Sequence, residues 1–212
     1  MGWLRFLLLV LVARPLALFL TGADVTGRER LPLKGPAIVA ANHSSHVDTL
    51  LLLAIFPSRA VARVRPAAAA DYFLKDPVIG WFSRKVIGIV PVARLKAGSG
   101  EDVLAPARAA LAAGDIVVVF PEGTRGDGDE LGQLKSGVAR LAEAFPDAPV
   151  TPVWIQGAGR VLPKGETIPA PLNCAVLVGE PVVWAGDRHD FMARLRAALL
   201  ALKAEAPPLR WS

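Results

Sequence analysis

The chain has 212 residues, 53% of them apolar, with a formal net charge of +5. That length suits one domain plus an appendage around a substantial core, and the apolar share, high for a soluble domain, suggests membrane contact or a lipid site. Cys174 is the sole cysteine, which excludes an internal disulfide and allows a reducing, intracellular compartment. The charge is uneven: residues 1–96 hold 13 Lys and Arg against 5 Asp and Glu, and residues 97–212 hold 11 against 14. A basic half beside an apolar N-terminus fits an anionic membrane surface. Nucleic acid is disfavoured as a partner, because no nucleic-acid motif accompanies the charge.

Gly2 to Leu20 is mostly apolar, broken by Arg5, Arg14 and Pro15. A spanning helix wants about 20 uninterrupted apolar residues. Arg14 at the bilayer centre would cost about 2.5–3.5 kcal/mol, and Pro15 would kink or end the helix. A helix lying in one leaflet with its arginines at headgroup depth avoids the cost. A signal peptide is the second reading, though no small-x-small cleavage site follows; a buried core helix is the third. Thr21 to Gly35 is polar and turn-rich, and reads as a linker.

The apolar run Ala37-Ile38-Val39-Ala40-Ala41 reads as a buried strand, and Thr49 to Ile55 as a buried helix start. Between them stands Asn42-His43-Ser44-Ser45-His46-Val47-Asp48. On one continuous helix His43 and Asp48 would sit about 140° apart. They can meet as a base and its orienter only if His43 precedes the helix. Ser45 and Asp48 also fit an N-cap with an acidic partner three places on, which would leave His43 an ordinary loop residue. His43-x2-His46-x-Asp48 could instead supply three metal ligands of a metal-dependent hydrolase. The further ligands such a site needs are not obvious, since His189 is remote and Cys174 sits in an apolar run.

Arg59 to Arg65 alternates charged and apolar residues as a half-buried strand does. Asp76-Pro77 can open a helix through Lys85 carrying Val78, Ile79, Trp81 and Phe82, which suits a membrane interface or a packed core equally. Ile87 to Val92 reads as a strand ending near Arg94, and Glu101 to Ala113 as a helix whose first turns Pro106 should weaken. Asp115 to Phe120 is a strand that runs into Phe120-Pro121-Glu122-Gly123-Thr124-Arg125. The glycine-rich stretch 126–132 should be mobile. Lys135 to Phe145 and Arg188 to Ala204 read as helices; Val150 to Ile155 and Cys174 to Val178 read as strands. The alternation predicts an α/β fold, a mixed, largely parallel sheet flanked by helices. Ligands of such sheets bind at the carboxyl ends of strands, which would bring Glu122 and Arg125 towards His43. There is no Gly-x-Ser-x-Gly elbow and no phosphate-binding Gly-x4-Gly-Lys loop.

Together the motifs resemble the glycerolipid acyltransferases, whose best-known members are the 1-acylglycerol-3-phosphate acyltransferases. The family's Asn-His-x4-Asp block is matched by Asn42, His43 and Asp48, and its Phe-Pro-Glu-Gly-Thr-Arg block at all six positions from Phe120 to Arg125. An intermediate block looks like Gly88 to Arg94, the loosest match, and a late apolar block with proline looks like Val150-Thr151-Pro152-Val153. All four stand in the family's order, between about Gly35 and Gly179. The resemblance implies an acyltransferase domain over residues 35–212 behind a membrane-associating segment and linker over 1–34. It implies acyl transfer from acyl-CoA or acyl-carrier protein to lysophosphatidic acid or another lysolipid, with no further cofactor and no metal, at the cytoplasmic face of the membrane. His43 and Asp48 would be catalytic; Arg94, Glu122, Gly123, Thr124 and Arg125 would bind the acceptor. Independently of family, thioester-to-alcohol transfer needs a base for the hydroxyl, which His43 can supply without an enzyme nucleophile. Arg125 offers a planar fork for a phosphate. Lys135 could meet the donor's phosphates or simply be solvated.

Overall fold

The computed structural model describes residues 2–69, 80–81, 83–92, 102–126, 130–163, 166 and 168–208. Seven strands form one sheet: β1 (Asp24–Thr26), β2 (Ala37–Ala41), β3 (Val64–Ala69), β4 (Val90–Val92), β5 (Ile116–Val119), β6 (Val150–Gln156) and β7 (Ala175–Val178). Their order is β1-β7-β6-β2-β5-β3-β4. Every pairing is parallel except β6 with β7, so the sheet is mixed and largely parallel, as expected.

Period-2 alternation divides the strand residues between two cores. Ala37, Val39 and Ala41 of β2, with Ile116 and Val118 of β5, face one side. That side is covered by α3 (Val47–Ile55), α4 (Ser58–Val61), α7 (Ala158–Val161) and the N-terminal helix. Ile38 and Ala40, with Val117 and Trp154, face the other. That side is covered by α5 (Ala105–Ala112), α6 (Gly137–Ala144) and α8 (Arg188–Glu205). Burial on both faces explains why β2 reads as an unbroken apolar run.

Local differences from the sequence reading have physical causes. Arg59 to Val61 is helical, not extended: Pro57 is held in an extended conformation and caps α4, and the strand begins only at Val64. Pro106 does not weaken α5, because the helix starts at Ala105 and leaves Pro106 in the first turn, where its missing N–H costs nothing. The supposed linker contributes β1, paired to β7, and a 3-10 turn at Arg28–Arg30. The helix expected from Asp76 to Lys85 falls largely outside the described residues; Trp81 is exposed, and Ser83–Ile87 forms a π-helical turn.

The N-terminal segment is helical throughout: α1 (Gly2–Leu8), a π-helical turn (Leu9–Ala13) and α2 (Arg14–Thr21), closed by left-handed Gly22. The widened turn lets the chain pass Pro15, which sits in the first turn of α2, without breaking. Among the described residues no helix is long and apolar enough to cross a membrane. Leu9 and Ala17 are buried, and Leu9 joins the core of α3. Trp3, Leu11, Val12, Leu16 and Phe19 point outward, Phe19 at 77% exposure.

Arg5 corrects an expectation. It does not reach outward to headgroup depth but is buried, its guanidinium donating to the backbone carbonyls of Ala62, Val64, Val86 and Ile87. Burial, then neighbouring Arg65, pushes its pKa down from the ordinary arginine range to about 10, against the pull of Asp115. It remains charged at neutral pH. Arg14 is half-buried, with Nη1 3.4 Å from Ser58 Oγ.

Candidate active site

The site forms where the carboxyl ends of β2 and β5 lie side by side. The two strands are parallel neighbours, with Ala40 opposite Val119, so the residues leaving each strand emerge together. α3 begins at Val47, four residues past His43. His43 therefore precedes the helix, as the pairing with Asp48 requires.

His43 Nδ1 lies 2.9 Å from Asp48 Oδ2. A carboxylate only accepts, so Nδ1 carries the proton and Nε2 keeps its lone pair. Asp48 is wholly buried, and the same oxygen also accepts from Ser44 N at 2.7 Å and Ser45 N at 2.8 Å. Charge-assisted hydrogen bonds of this kind fix a carboxylate firmly. One oxygen of Asp48 thus both closes the turn before α3 and orients the imidazole. Phe120 stacks on the other side of the ring, with centroids 4.1 Å apart and planes at 21°. Asn42 fastens the corner to the neighbouring strand. It donates to Ile155 O at 2.8 Å and accepts from Ile155 N at 2.7 Å. Ser45 Oγ donates to Leu162 O.

Glu122 connects the two loops. One carboxylate oxygen accepts from His43 N and the other from Gly132 N, each at 2.9 Å, and the side chain is buried. His43 O in turn accepts from Gly126 N at 2.8 Å. Expected at the substrate, Glu122 has both oxygens engaged within the protein. Gly123 sits at φ +71°, the left-handed conformation that glycine adopts without strain, and a Cβ there would meet Lys135 Nζ at 2.7 Å. The Lys135 side chain therefore lies along the turn while remaining exposed. Gly123 and Thr124 are exposed and Arg125 is half-buried.

Arg125 reaches the first motif electrostatically. His46 is held below its ordinary pKa by partial burial, then by Arg125 and by His43, against the opposing pull of Asp48. The second motif's guanidinium thus stands close enough to the first motif to disfavour a second cation there. Arg94 lies outside the described residues. Among the described residues no group of three or more His, Cys, Asp or Glu is placed to hold a metal. Sequence reasoning missed Phe120 as the ring stacked on His43, and it missed the Asn42 clamp. The only signal for either was membership of the motifs themselves.

A His–Asp pair with its carboxylate wholly buried thus stands at a strand-to-helix corner, beside a turn that carries a half-buried arginine. Residues 22–156 match the model of the family described as Acyltransferase, and the chain belongs to that family. It is 32% identical over 171 residues to the chloroplastic 1-acyl-sn-glycerol-3-phosphate acyltransferase BAT2 of Brassica napus, over 80% of this chain and 47% of that protein. It is 33% identical over 142 residues to the lyso-ornithine lipid O-acyltransferase of Rhizobium meliloti (strain 1021), over 66% of this chain and 46% of that protein. The chain spans about half the length of the curated relatives it matches. The crystal structure of the 1-acyl-sn-glycerophosphate (LPA) acyltransferase PlsC from Thermotoga maritima superposes with a TM-score of 0.76. It covers 98% of this chain and 81% of that one at 24% identity, and so shows a shared fold.

Proposed function

We propose that the protein is a membrane-associated O-acyltransferase that moves a fatty acyl group from acyl-CoA or acyl-carrier protein to the free hydroxyl of lysophosphatidic acid, giving phosphatidic acid. The observation that carries the reading is the oriented imidazole: His43 Nδ1 on Asp48 Oδ2 at 2.9 Å, with Nε2 left free to take a proton. His43 removes the acceptor's hydroxyl proton as the oxygen attacks the thioester carbonyl carbon. The buried Asp48 carboxylate stabilises the imidazolium so formed. The tetrahedral intermediate collapses with cleavage of the C–S bond, and the imidazolium returns the proton to the departing thiolate. The balance closes without a covalent enzyme intermediate or a metal.

Arg94 and Arg125 take the acceptor's phosphate in this reading, Gly123 and Thr124 form the rim, and Glu122 serves the acceptor by fixing the loop that carries them. A phosphomonoester dianion suits two guanidinium forks. The outward row of Leu11, Val12, Leu16 and Phe19, with Trp3 and Trp81, seats the enzyme on one leaflet at the cytoplasmic face. Deleting residues 1–20 would also remove Arg5 and core residue Leu9, so point changes test the seating more cleanly. Leu11→Glu with Phe19→Glu should move most of the protein from the membrane pellet to the supernatant while the fold survives. Unchanged sedimentation with anionic vesicles would refute the seating.

The direct test of function incubates purified protein with a panel of lysolipids and both donors, and identifies products by mass. Phosphatidic acid should form, His43→Ala should not form it, and exhaustive chelation should leave the yield unchanged. A second reading, another lysolipid as acceptor, is favoured by the 33% identity to the Rhizobium enzyme named for lyso-ornithine lipid. Its product would dominate the panel if that reading is correct.

A further inference from the structure

Among the described residues three charged side chains are buried: Arg5, Asp48 and Glu122. The last two belong to the site, whereas the acyl-transfer chemistry gives Arg5 no task. Burying a guanidinium is costly unless its N–H groups meet acceptors. Here backbone carbonyls from two separate segments meet them. Val86 O, at 3.1 Å from Nε, and Ile87 O, at 2.9 Å from Nη2, end the Ser83–Ile87 turn. Free carbonyls at such an end form the negative pole of a helix dipole. Ala62 O and Val64 O flank the entry to β3, the latter 2.8 Å from Nη2.

Those two segments feed paired strands. β3 and β4 run parallel, with Ala67 opposite Val90 and Ala69 opposite Val92, and β3 also pairs with β5, the strand that delivers Pro121 to Arg125. One side chain therefore ties the helix with the outward apolar row to the edge of the sheet beside the second motif. Gly88 belongs to the same contact. It lies at φ +75°, and a Cβ there would fall 2.5 Å from Arg5 Nη2. The backbone passes against the guanidinium, and only glycine permits that approach.

We propose that Arg5 is a positioning residue for acceptor use: it locks the lipid-facing N-terminal helix to β3 and so sets β3 against β5, the strand that delivers Arg125. The inference rests on the proposed lysolipid acyl transfer. It makes capture of the acceptor, rather than chemistry on the thioester, depend on Arg5. An ammonium cannot reproduce the clamp, since its three donors radiate from one nitrogen and cannot span carbonyls of two segments as a planar fork does.

The test is steady-state kinetics on the full chain, comparing the parent with Arg5→Lys and Gly88→Ala, using both a soluble short-chain lysophosphatidic acid and a long-chain one in vesicles. Gly88→Ala presses on the same guanidinium with Arg5 intact, so it decides the matter if Arg5→Lys does not fold. In each folded variant the acceptor KM should rise about tenfold in both formats, the scale of a lost charged hydrogen bond. The donor KM and kcat should stay within about twofold. Equal losses in kcat and both KM values, tracking the thermal midpoint, would make Arg5 a fold-holding residue and overturn the inference. A loss confined to vesicle-borne acceptor would make it a membrane-seating residue and overturn it equally. A parent protein that acylates no lysolipid would instead overturn the underlying reading.

Discussion

The corner after β2 and the loop after β5 leave neighbouring parallel strands side by side, yet they use their polar groups in opposite ways. At the first, Asp48 is turned wholly inward, and one oxygen collects His43, Ser44 and Ser45. At the second, the carboxylate of Glu122 is turned inward to join the loops, while Gly123 and Thr124 stay exposed and Arg125 is half-buried. A group that must shuttle a proton needs a fixed partner in a dry setting, because orientation and low dielectric strengthen the interaction. A group that must meet a ligand needs an open face. On the proposed reading the asymmetry separates a chemical half from a recognition half, and it can be broken on either side.

Breaking the chemical half should have the largest effect. Removing a general base typically costs about 10²–10⁴ in rate, so His43→Ala should abolish measurable acyl transfer. Far-UV circular dichroism should be unchanged, since the backbone bonds of residue 43 to Glu122 and Gly126 remain. A folded His43→Ala protein with near-parental turnover would sink the assignment. Asp48→Asn should come next. Asp48 makes its hydrogen bonds through Oδ2, and Oδ1 has no donor among the described residues. An asparagine can therefore keep the accepting oxygen in place and remove the charge, while burying an amide NH2 where Oδ1 was. Losing a charged hydrogen bond at about 1.5–3 kcal/mol corresponds to about 10- to 100-fold in kcat, with little change in acceptor KM. A change in KM alone would place Asp48 with the ligand instead.

Breaking the recognition half should change which acceptor is used rather than whether transfer occurs. Arg125→Ala should lose about 10- to 100-fold on lysophosphatidic acid, on the same charged-bond scale. The loss should be far smaller on a lysolipid whose phosphate is capped as a diester. Lysine should rescue poorly, lacking the bidentate fork. Equal losses on both acceptors would mean that Arg125 supports the loop or the donor, and the division between the two halves would fail at that residue.

Much of this was legible in the sequence, for reasons that differ by element. β2 and β5 could be read because burial on both faces leaves an unmistakable apolar run. The His43 corner could be read because five-residue spacing cannot work on a helix. Arg5 could not: a lone cation in an apolar helix looks the same whether it reaches lipid headgroups or backbone carbonyls 57 to 82 residues away. Glu122 is subtler. Its motif marked it as functional, but nothing local says that its partners are His43 N and Gly132 N, because that depends on strands β2 and β5 being neighbours. The helix at Ser58–Val61 was hidden because its four residues carry too little periodicity to distinguish helix from strand.

The smallest effect lies where the two halves touch. Partial burial, Arg125 and His43 all hold His46 below its ordinary pKa, against the pull of Asp48. As pH falls below the ordinary histidine value, the unfolded chain takes up a proton at His46 before the folded protein does. Stability contributed by the neutral imidazole is therefore present above that value and is lost as pH falls through the window beneath it. His46 is substantially exposed, so solvent screening keeps the effect small. Denaturant midpoints at pH 7.5 and pH 5.5 should fall slightly less in His46→Gln than in the parent, the other titrating groups cancelling in the comparison. The same measurement on Arg125→Ala should narrow the parent's loss, because the guanidinium that disfavours the imidazolium is gone. If Arg125→Ala leaves the pH response of His46 unaltered, the two motifs are not electrically coupled, and Arg125 must be turned away from the corner towards solvent.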